Sequence, residues 1–244
     1  MAISSPPRRG GQAAPHRQRA LITALVLAVI AVLVLAAAVV PLLARGGPSS
    51  PGVQGSGVPA AQSRALARFS SLDLAGSNNV TVVVGGRQSV VVHADSNLIR
   101  YVTTRVVAGT LVIGTTGSFT TRSPMGVEVS VPSLAAVRLS GSGDISVTGI
   151  EARQLTVMLS GSGVLSANGT TSRLDVTVGG SGLAQLSDLV ARDVRAVVTG
   201  SGLIRVTATA SLNAAVPGTG AIIYGGNPPH VISSVTGTGA VTRG

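Results

Sequence analysis

From Leu134 onward the apolar residues fall in columns. Aligned on the first residue of each Gly-Ser/Thr-Gly triplet, at Gly141, Gly161, Gly180, Gly200, Gly218 and Gly237, the place four residues on holds Ile145, Leu165, Ala184, Ile204, Ile222 and Val241. Two residues further stand Val147, Ala167, Leu186, Val206 and Tyr224. Six residues before the next triplet come Leu155, Leu174, Val194, Leu212 and Val231. At every second place after them lie Val157, Val176, Ala196, Ala214 and Ser233, then Leu159, Val178, Val198, Val216 and Val235. Ser233 alone breaks the rule. Alternation with period two marks strands with one buried face, because successive β side chains point to opposite sides.

The triplets lie 20, 19, 20, 18 and 19 residues apart. A period of 18–20 residues that keeps its columns predicts an all-β solenoid, with two short strands in each turn. One such turn buries too little to stand alone, so stability must come from stacking turns that share a core. All the length variation falls between the two strands, and that segment is expected to be an outward loop. The glycines that open each triplet, Gly141, Gly161, Gly180, Gly200, Gly218 and Gly237, are expected to turn the corners together with those that close it, Gly143, Gly163, Gly182, Gly202, Gly220 and Gly239. Glycine serves there through positive φ or close backbone approach. The residues between them, Ser142, Ser162, Ser181, Ser201, Thr219 and Thr238, would stack as a hydroxyl ladder with a structural role.

Upstream, β-rich runs cover Phe69 to Leu74, Val80 to Val84, Val90 to His93, Tyr101 to Val107, Leu111 to Ile113 and Val127 to Val131, without clean register. They read as the starting cap and the first irregular turns, with the regular array beginning near Leu134, after Pro132.

Several segments carry a resemblance: Phe69-Ser-Ser-Leu-Asp-Leu, Val80-Thr-Val-Val-Val before Gly85-Gly86, Ser96-Asn-Leu near Gly109-Thr-Leu-Val-Ile, Val129-Ser-Val-Pro-Ser-Leu, and the repeated Leu-Ser-Gly-Ser-Gly. In this combination the chain resembles, over roughly residues 66–244, the bacterial family described as the putative auto-transporter adhesin, head GIN domain. The resemblance implies a right-handed single-stranded β-helix on a bacterial surface or in the periplasm, with a role in adhesion and no catalytic residue. The chain departs from the regular pattern at Val216-Pro217-Gly218 and in its last turn, Gly237 to Gly244.

The front of the chain has another chemistry. Ala20 to Leu43 contains no charge and follows Arg8, Arg9, Arg17 and Arg19. A span needs about 20 such residues, so 20–43 is expected to be a single transmembrane helix. The arginines favour a cytoplasmic N-terminus, making 1–19 a short basic tail and placing the domain outside the membrane of a bacterial cell. A cleaved signal peptide is the competing reading, its small residues at Ala36 to Ala38. Residues 44–64, rich in Gly, Pro, Ser and Ala, are expected to be a flexible linker, and 65–244 the extracytoplasmic domain.

Charge and composition remove whole classes of function. The net charge is +10 over 244 residues, with four of the arginines before the apolar run and fourteen arginines against eight acids after it. Two Phe and two Tyr supply few stacking platforms, which argues against a nucleic-acid partner. There is no cysteine and no lysine, which excludes a lipidated cysteine, disulfides, thiolate metal sites, Schiff-base chemistry and a phosphate-loop lysine. Within the domain only His93 and His230 are histidines, in no metal-ligand or triad spacing. No cofactor is expected.

What remains is a set of arginines, Arg138, Arg153, Arg173, Arg192, Arg195 and Arg205, that would line one side of the coil. Such a side could meet acidic envelope polymers or serve as a solvated face. Three readings follow: a surface-interaction or adhesion module; an envelope scaffold of copies joined through the β-helix ends; and a polysaccharide-acting enzyme. The last would require Asp188, Asp193 and an arginine to converge in a groove.

Overall fold

The structure is a computed structural model, and it describes residues 52–244. The basic tail expected over 1–19 and the span expected over 20–43 lie outside the described residues. Among the described residues no helix is long and apolar enough to cross a membrane.

The fold is all-β, a solenoid of about five turns. Its strands are β1 (Val53–Gln54), β2 (Pro59–Ser63), β3 (Ser71–Leu74), β4 (Asn79–Val84), β5 (Ser89–Asp95), β6 (Val102–Val107), β7 (Thr110–Thr115), β8 (Phe119–Thr120) and β9 (Gly126–Val131). The array continues with β10 (Ala136–Leu139), β11 (Ile145–Leu159), β12 (Val164–Val178), β13 (Leu183–Val198), β14 (Leu203–Val216), β15 (Ala221–Gly225), β16 (His230–Val235) and β17 (Ala240–Arg243).

The columns behave as expected. Successive turns pair in parallel, so Leu155 lies beside Leu174, Leu174 beside Val194 and Val194 beside Leu212. Each of these four is buried, as are Ile145, Leu165, Ala184 and Ile204 of the first column. One contiguous core runs from Phe69 to Ile222.

Two expectations about the middle of each turn need correction. There is no outward loop between two short strands in the central turns; β11, β12, β13 and β14 run unbroken for 14 to 16 residues. The length differences are absorbed as register shifts, between Val147 and Ile150 against β12, Ser166 and Gly169 against β13, and Leu186 and Val190 against β14. A bulge inserts a residue while the ladder on either side stays paired, so it costs less than opening a loop. Gly149 and Gly169 have φ of 78° and 126° at these bends, where a β-carbon would be strained.

The upstream strands are already part of the ladder. β3 sits between β7 and β10, with Leu72 beside both Leu111 and Val137, and Leu74 beside Ile113 and Leu139. β4 likewise sits between β9 and β11, placing Val80 between Val127 and Ile145. The solenoid therefore begins at Ser71, well before Leu134, and later segments of the chain return to extend it on both sides.

Beyond β7 and β9 the pairing becomes antiparallel. β6 and β7 form a hairpin whose two turn residues, Ala108 and Gly109, have φ of 48° and 74°. β5 pairs antiparallel with β9, and β2 antiparallel with β5. β2 and β1 fall inside the linker expected over 44–64, so that boundary moves: Pro59–Ser63 add a strand to the domain, and Val53–Gln54 pair with β8. Gly/Pro-rich composition hid these strands, because edge strands can pair through backbone groups with little apolar signal.

Candidate functional site

The Gly-Ser/Thr-Gly triplets do form the corners, and of the two reasons expected for glycine there, only close approach applies. The positive-φ half of that expectation is corrected, since none of the triplet glycines has positive φ. For the opening glycines, a β-carbon on Gly141 would run into the carbonyl of Gly76, one on Gly161 into that of Gly141, and one on Gly180 into that of Gly161. One on Gly200 would meet the carbonyls of Gly179 and Gly180, one on Gly218 that of Gly200, and one on Gly237 that of Gly218. The closing glycines repeat the relation one step along: Gly143 abuts the carbonyl of Asn78, Gly163 that of Gly143, and Gly182 that of Gly163. In the same way Gly202 abuts the carbonyl of Gly182, Gly220 that of Gly202, and Gly239 that of Gly220. From Gly202 onward a β-carbon would also strike a core valine, Val178 at Gly202, Val198 at Gly220 and Val216 at Gly239. Each corner thus stacks directly on the one before it, with no room for a side chain between the two backbones.

The corner carbonyls accept from the next turn, as in Ser201 N–H to Gly180 O at 3.1 Å and Thr219 N–H to Gly200 O at 3.0 Å. Among the described residues the expected hydroxyl ladder reduces to one bond, between Ser201 Oγ and Thr219 Oγ1 at 2.9 Å. At Pro217 the chain lacks the N–H that Thr199 donates to Val178 O one turn earlier, and Gly218 N–H alone reaches Val198 O at 3.2 Å.

The six arginines do not share one side. Arg138, Arg173 and Arg195 stand on the wall built from β10 and the second halves of β11–β14, whereas Arg205 stands on the opposite wall, in the row of Ser166 and Gln185. Arg153 and Arg192 lie near the bend between the walls. Position within the turn of 18–20 residues decides this, since a shift of a few residues around the coil carries a side chain to another wall.

Around Arg173 and Arg195 the rows alternate in sign. Arg173 lies beside Asp193, and Asp175 beside Arg195. These four, with Ser211 and Asn213, line a shallow hollow of about 440 Å³. Both carboxylates are taken by neutral donors: Ser211 Oγ–H donates to Asp193 at 2.7 Å, and Gln154 Nε2 donates to Asp175 at 3.2 Å. Among the described residues no arginine is ion-paired with a carboxylate. The guanidinium groups of Arg173 and Arg195 are exposed and in no ion pair among the described residues, and such forks of donors favour carboxylate and phosphate.

Asp188 sits at the bulge of β13 and does not line the hollow with Asp193, so the convergence required for a polysaccharide-acting enzyme does not occur. His230 lies in β16, distant in the ladder from His93 in β5. Among the described residues no group of three or more His, Asp or Glu could hold a metal ion.

Two features had no sequence signal. Asp95 is fully buried and accepts from Gly57 N–H at 2.8 Å, Arg122 N–H at 2.9 Å, Ser123 N–H at 3.3 Å and Ser123 Oγ–H at 2.9 Å. The Arg122 amide bond, first among these, holds its carboxyl below the ordinary carboxylate value against the opposing effect of desolvation. The second is His93, whose Nε2 lies 3.5 Å from Glu128 Oε2 on the outer face of the β5–β9 pair. Lone acids and histidines in β-rich sequence carry no spacing that would have singled them out.

Comparison with known proteins adds the family. The family described as "Putative auto-transporter adhesin, head GIN domain" matches residues 68–228. A putative adhesin from Bacteroides fragilis NCTC 9343 is similar in structure, with a TM-score of 0.66 and 22% identity, covering 79% of this chain and 100% of that one. A putative lipid binding protein from Parabacteroides distasonis ATCC 8503 gives a TM-score of 0.52 at 21% identity, covering 79% and 99%. A putative adhesin from the same organism gives 0.51 at 22%, covering 79% and 100%. At these identities the likeness is one of fold. No curated protein matches the chain.

Proposed function

The chain belongs to the putative auto-transporter adhesin, head GIN domain family, and from that premise we propose that it is a non-catalytic bacterial surface-interaction module. In this reading residues 20–43 hold it in the cell membrane as a single span, with the N-terminus cytoplasmic and the solenoid outside. Its partners are anionic envelope polymers or the surface of another protein. No nucleic acid and no cofactor take part. The observation that carries the reading is the pair of guanidinium groups at Arg173 and Arg195, held on a rigid ladder beside carboxylates already engaged by Ser211 and Gln154.

The test is titration of the full-length chain in detergent with purified teichoic acid and with a polyuronic acid. Saturable binding that weakens steeply with salt is expected, because exposed charges are screened within about 10 Å at 0.1 M ionic strength. Replacing both Arg173 and Arg195 by Glu should weaken it by about tenfold or more, each lost charge-assisted hydrogen bond being worth about 1.5–3 kcal/mol. Binding unaffected by the double substitution would remove this face from the proposal.

The second reading, a scaffold of copies joined through the solenoid ends, has one observation in its favour. β16 pairs with β14 along one edge, and its Val231, Ile232 and Val235 are exposed. Unpaired edges of this kind template association. Sedimentation of the full-length chain in detergent at rising concentration separates the readings, because a constant single-copy mass is incompatible with a scaffold.

A further inference from the structure

On the outer face of the antiparallel cap lies a groove of about 530 Å³, away from the arginine hollow and within the range of about 300–1,000 Å³ of small-ligand sites. Its floor is a cross-strand row in which Ala61 of β2, His93 of β5, Gly126 of β9 and Asn79 of β4 stand side by side. Gly126 has no side chain and Ala61 only a methyl, so the row is notched on both sides of the imidazole. The next row brings Glu128 and Thr81 beside each other on the same face. Pro59 at the start of β2 and Pro124–Met125 before β9 supply apolar walls.

We propose that this groove binds one unit of a neutral glycan, with the ring's apolar face on Pro59, Pro124 and Met125 and its hydroxyls on Glu128, Asn79 and Thr81. The inference rests on the surface-interaction reading and names a ligand class for a second site within it. Its polar groups are mixed in kind: the carboxylate only accepts, and the amide and the hydroxyl both donate and accept. Sugar hydroxyls, each a donor and an acceptor, satisfy that mixture. Glu128 is exposed with its Oε2 3.5 Å from His93 Nε2, Asn79 and Thr81 are exposed beside it, and His93 Nε2 is itself buried without a hydrogen-bond partner among the described residues. A hydroxyl donating to Glu128 would sit at the edge of that imidazole.

Other ligand classes fit less well. Among the described residues no arginine lines the groove, and its one exposed carboxylate repels anions. An acyl chain would cover Glu128, Asn79 and Thr81 without returning a hydrogen bond to any of them, and that desolvation is unfavourable.

The test is calorimetric titration of the full-length chain, in a detergent without a sugar headgroup, with a neutral N-acetylglucosamine tetramer and a mannose tetramer. A polyuronic tetramer and phosphatidylglycerol bicelles are titrated in parallel. Saturable binding of a neutral tetramer, insensitive to salt, is expected. Glu128→Gln should weaken it roughly tenfold, by loss of a charged hydrogen-bond acceptor. Ala61→Arg, at an exposed strand position, should abolish it by filling the notch. The proposal is overturned if neither neutral tetramer binds, if binding survives Ala61→Arg, or if only bicelles bind. The broader reading fails separately, when teichoic acid and the polyuronic acid also leave the protein unbound.

Discussion

The buried carboxylate of Asp95 accepts the backbone N–H of Arg122 at 2.9 Å, and so ties the end of β5 to the segment that leads into β9. The same carboxylate takes Gly57 N–H at 2.8 Å, which fastens the stretch between β1 and β2 to that point. Nearby, Asn97 accepts from Ser56 N–H at 2.9 Å and donates to Gln54 O at 2.8 Å. Asp95 thus joins three segments of the cap, and its ionisation should be felt in the stability of the whole end.

The carboxyl of Asp95 titrates below the ordinary value of 3.8 in the folded protein, chiefly through the Arg122 amide. A depressed folded-state value means that the unfolded chain binds the proton first. The contribution is therefore complete above about pH 4 and is lost as pH falls through the lower folded value. Asp95→Ala should lower the melting temperature at neutral pH and flatten its acid dependence. Thermal melts of both proteins from neutral to strongly acidic pH check this, and parallel curves would contradict it.

Neighbouring glycines at one corner should respond differently. A β-carbon on Gly179 meets Thr199 Oγ1 at 3.5 Å, an ordinary contact, whereas one on Gly180 drives into the carbonyls of Ser160 and Gly161. Gly179→Ala should change stability by no more than about 0.5 kcal/mol. Gly180→Ala should cost about 1–3 kcal/mol, as overpacking in a rigid interior does. Denaturant unfolding of the two variants, side by side, decides it.

The hairpin turn at Ala108 offers a stabilising substitution. Its φ of 48° is costly for alanine, and Gly109 follows with φ of 74°. Two-residue turns with both φ positive favour Asn-Gly. Ala108→Asn should stabilise the protein by about 0.5–1 kcal/mol, given that the left-handed region costs an ordinary residue about 1–2 kcal/mol. A raised denaturation midpoint with unchanged slope is the expected readout.

The column broken by Ser233 makes a fourth comparison. Ser233 pairs in register with Ala214, yet Ala214 is fully buried while Ser233 is exposed in β16. Ala214→Ser should cost about 1–3 kcal/mol for a buried hydroxyl without a partner. Ser233→Ala should fall within about 0.5 kcal/mol, as surface changes do. Equal effects at the two sites, by denaturant unfolding, would show that β16 shares the core environment of β14.

Much of this was legible in the residues themselves. Leu155, Leu174 and Leu212 announce a shared buried column because a period of two leaves one side chain in two facing inward, and the triplets mark corners because only glycine admits a carbonyl as near as Gly141 is to Gly161, or Gly143 to Gly163. Those are local constraints, repeated each turn, so composition at one position reports its surroundings. The tertiary structure alone decided that Leu72 lies between Leu111 and Val137, that Pro59–Ser63 joins the cap, and that Arg173 and Arg205 look out from different walls. Pairing between strands is made by backbone N–H and C=O groups that nearly every residue carries, so the choice of partner leaves no mark on side-chain identity. The groove beside His93 arises for the same reason: Ala61, Gly126 and Asn79 become neighbours only through ladder registers that the order of residues along the chain does not display.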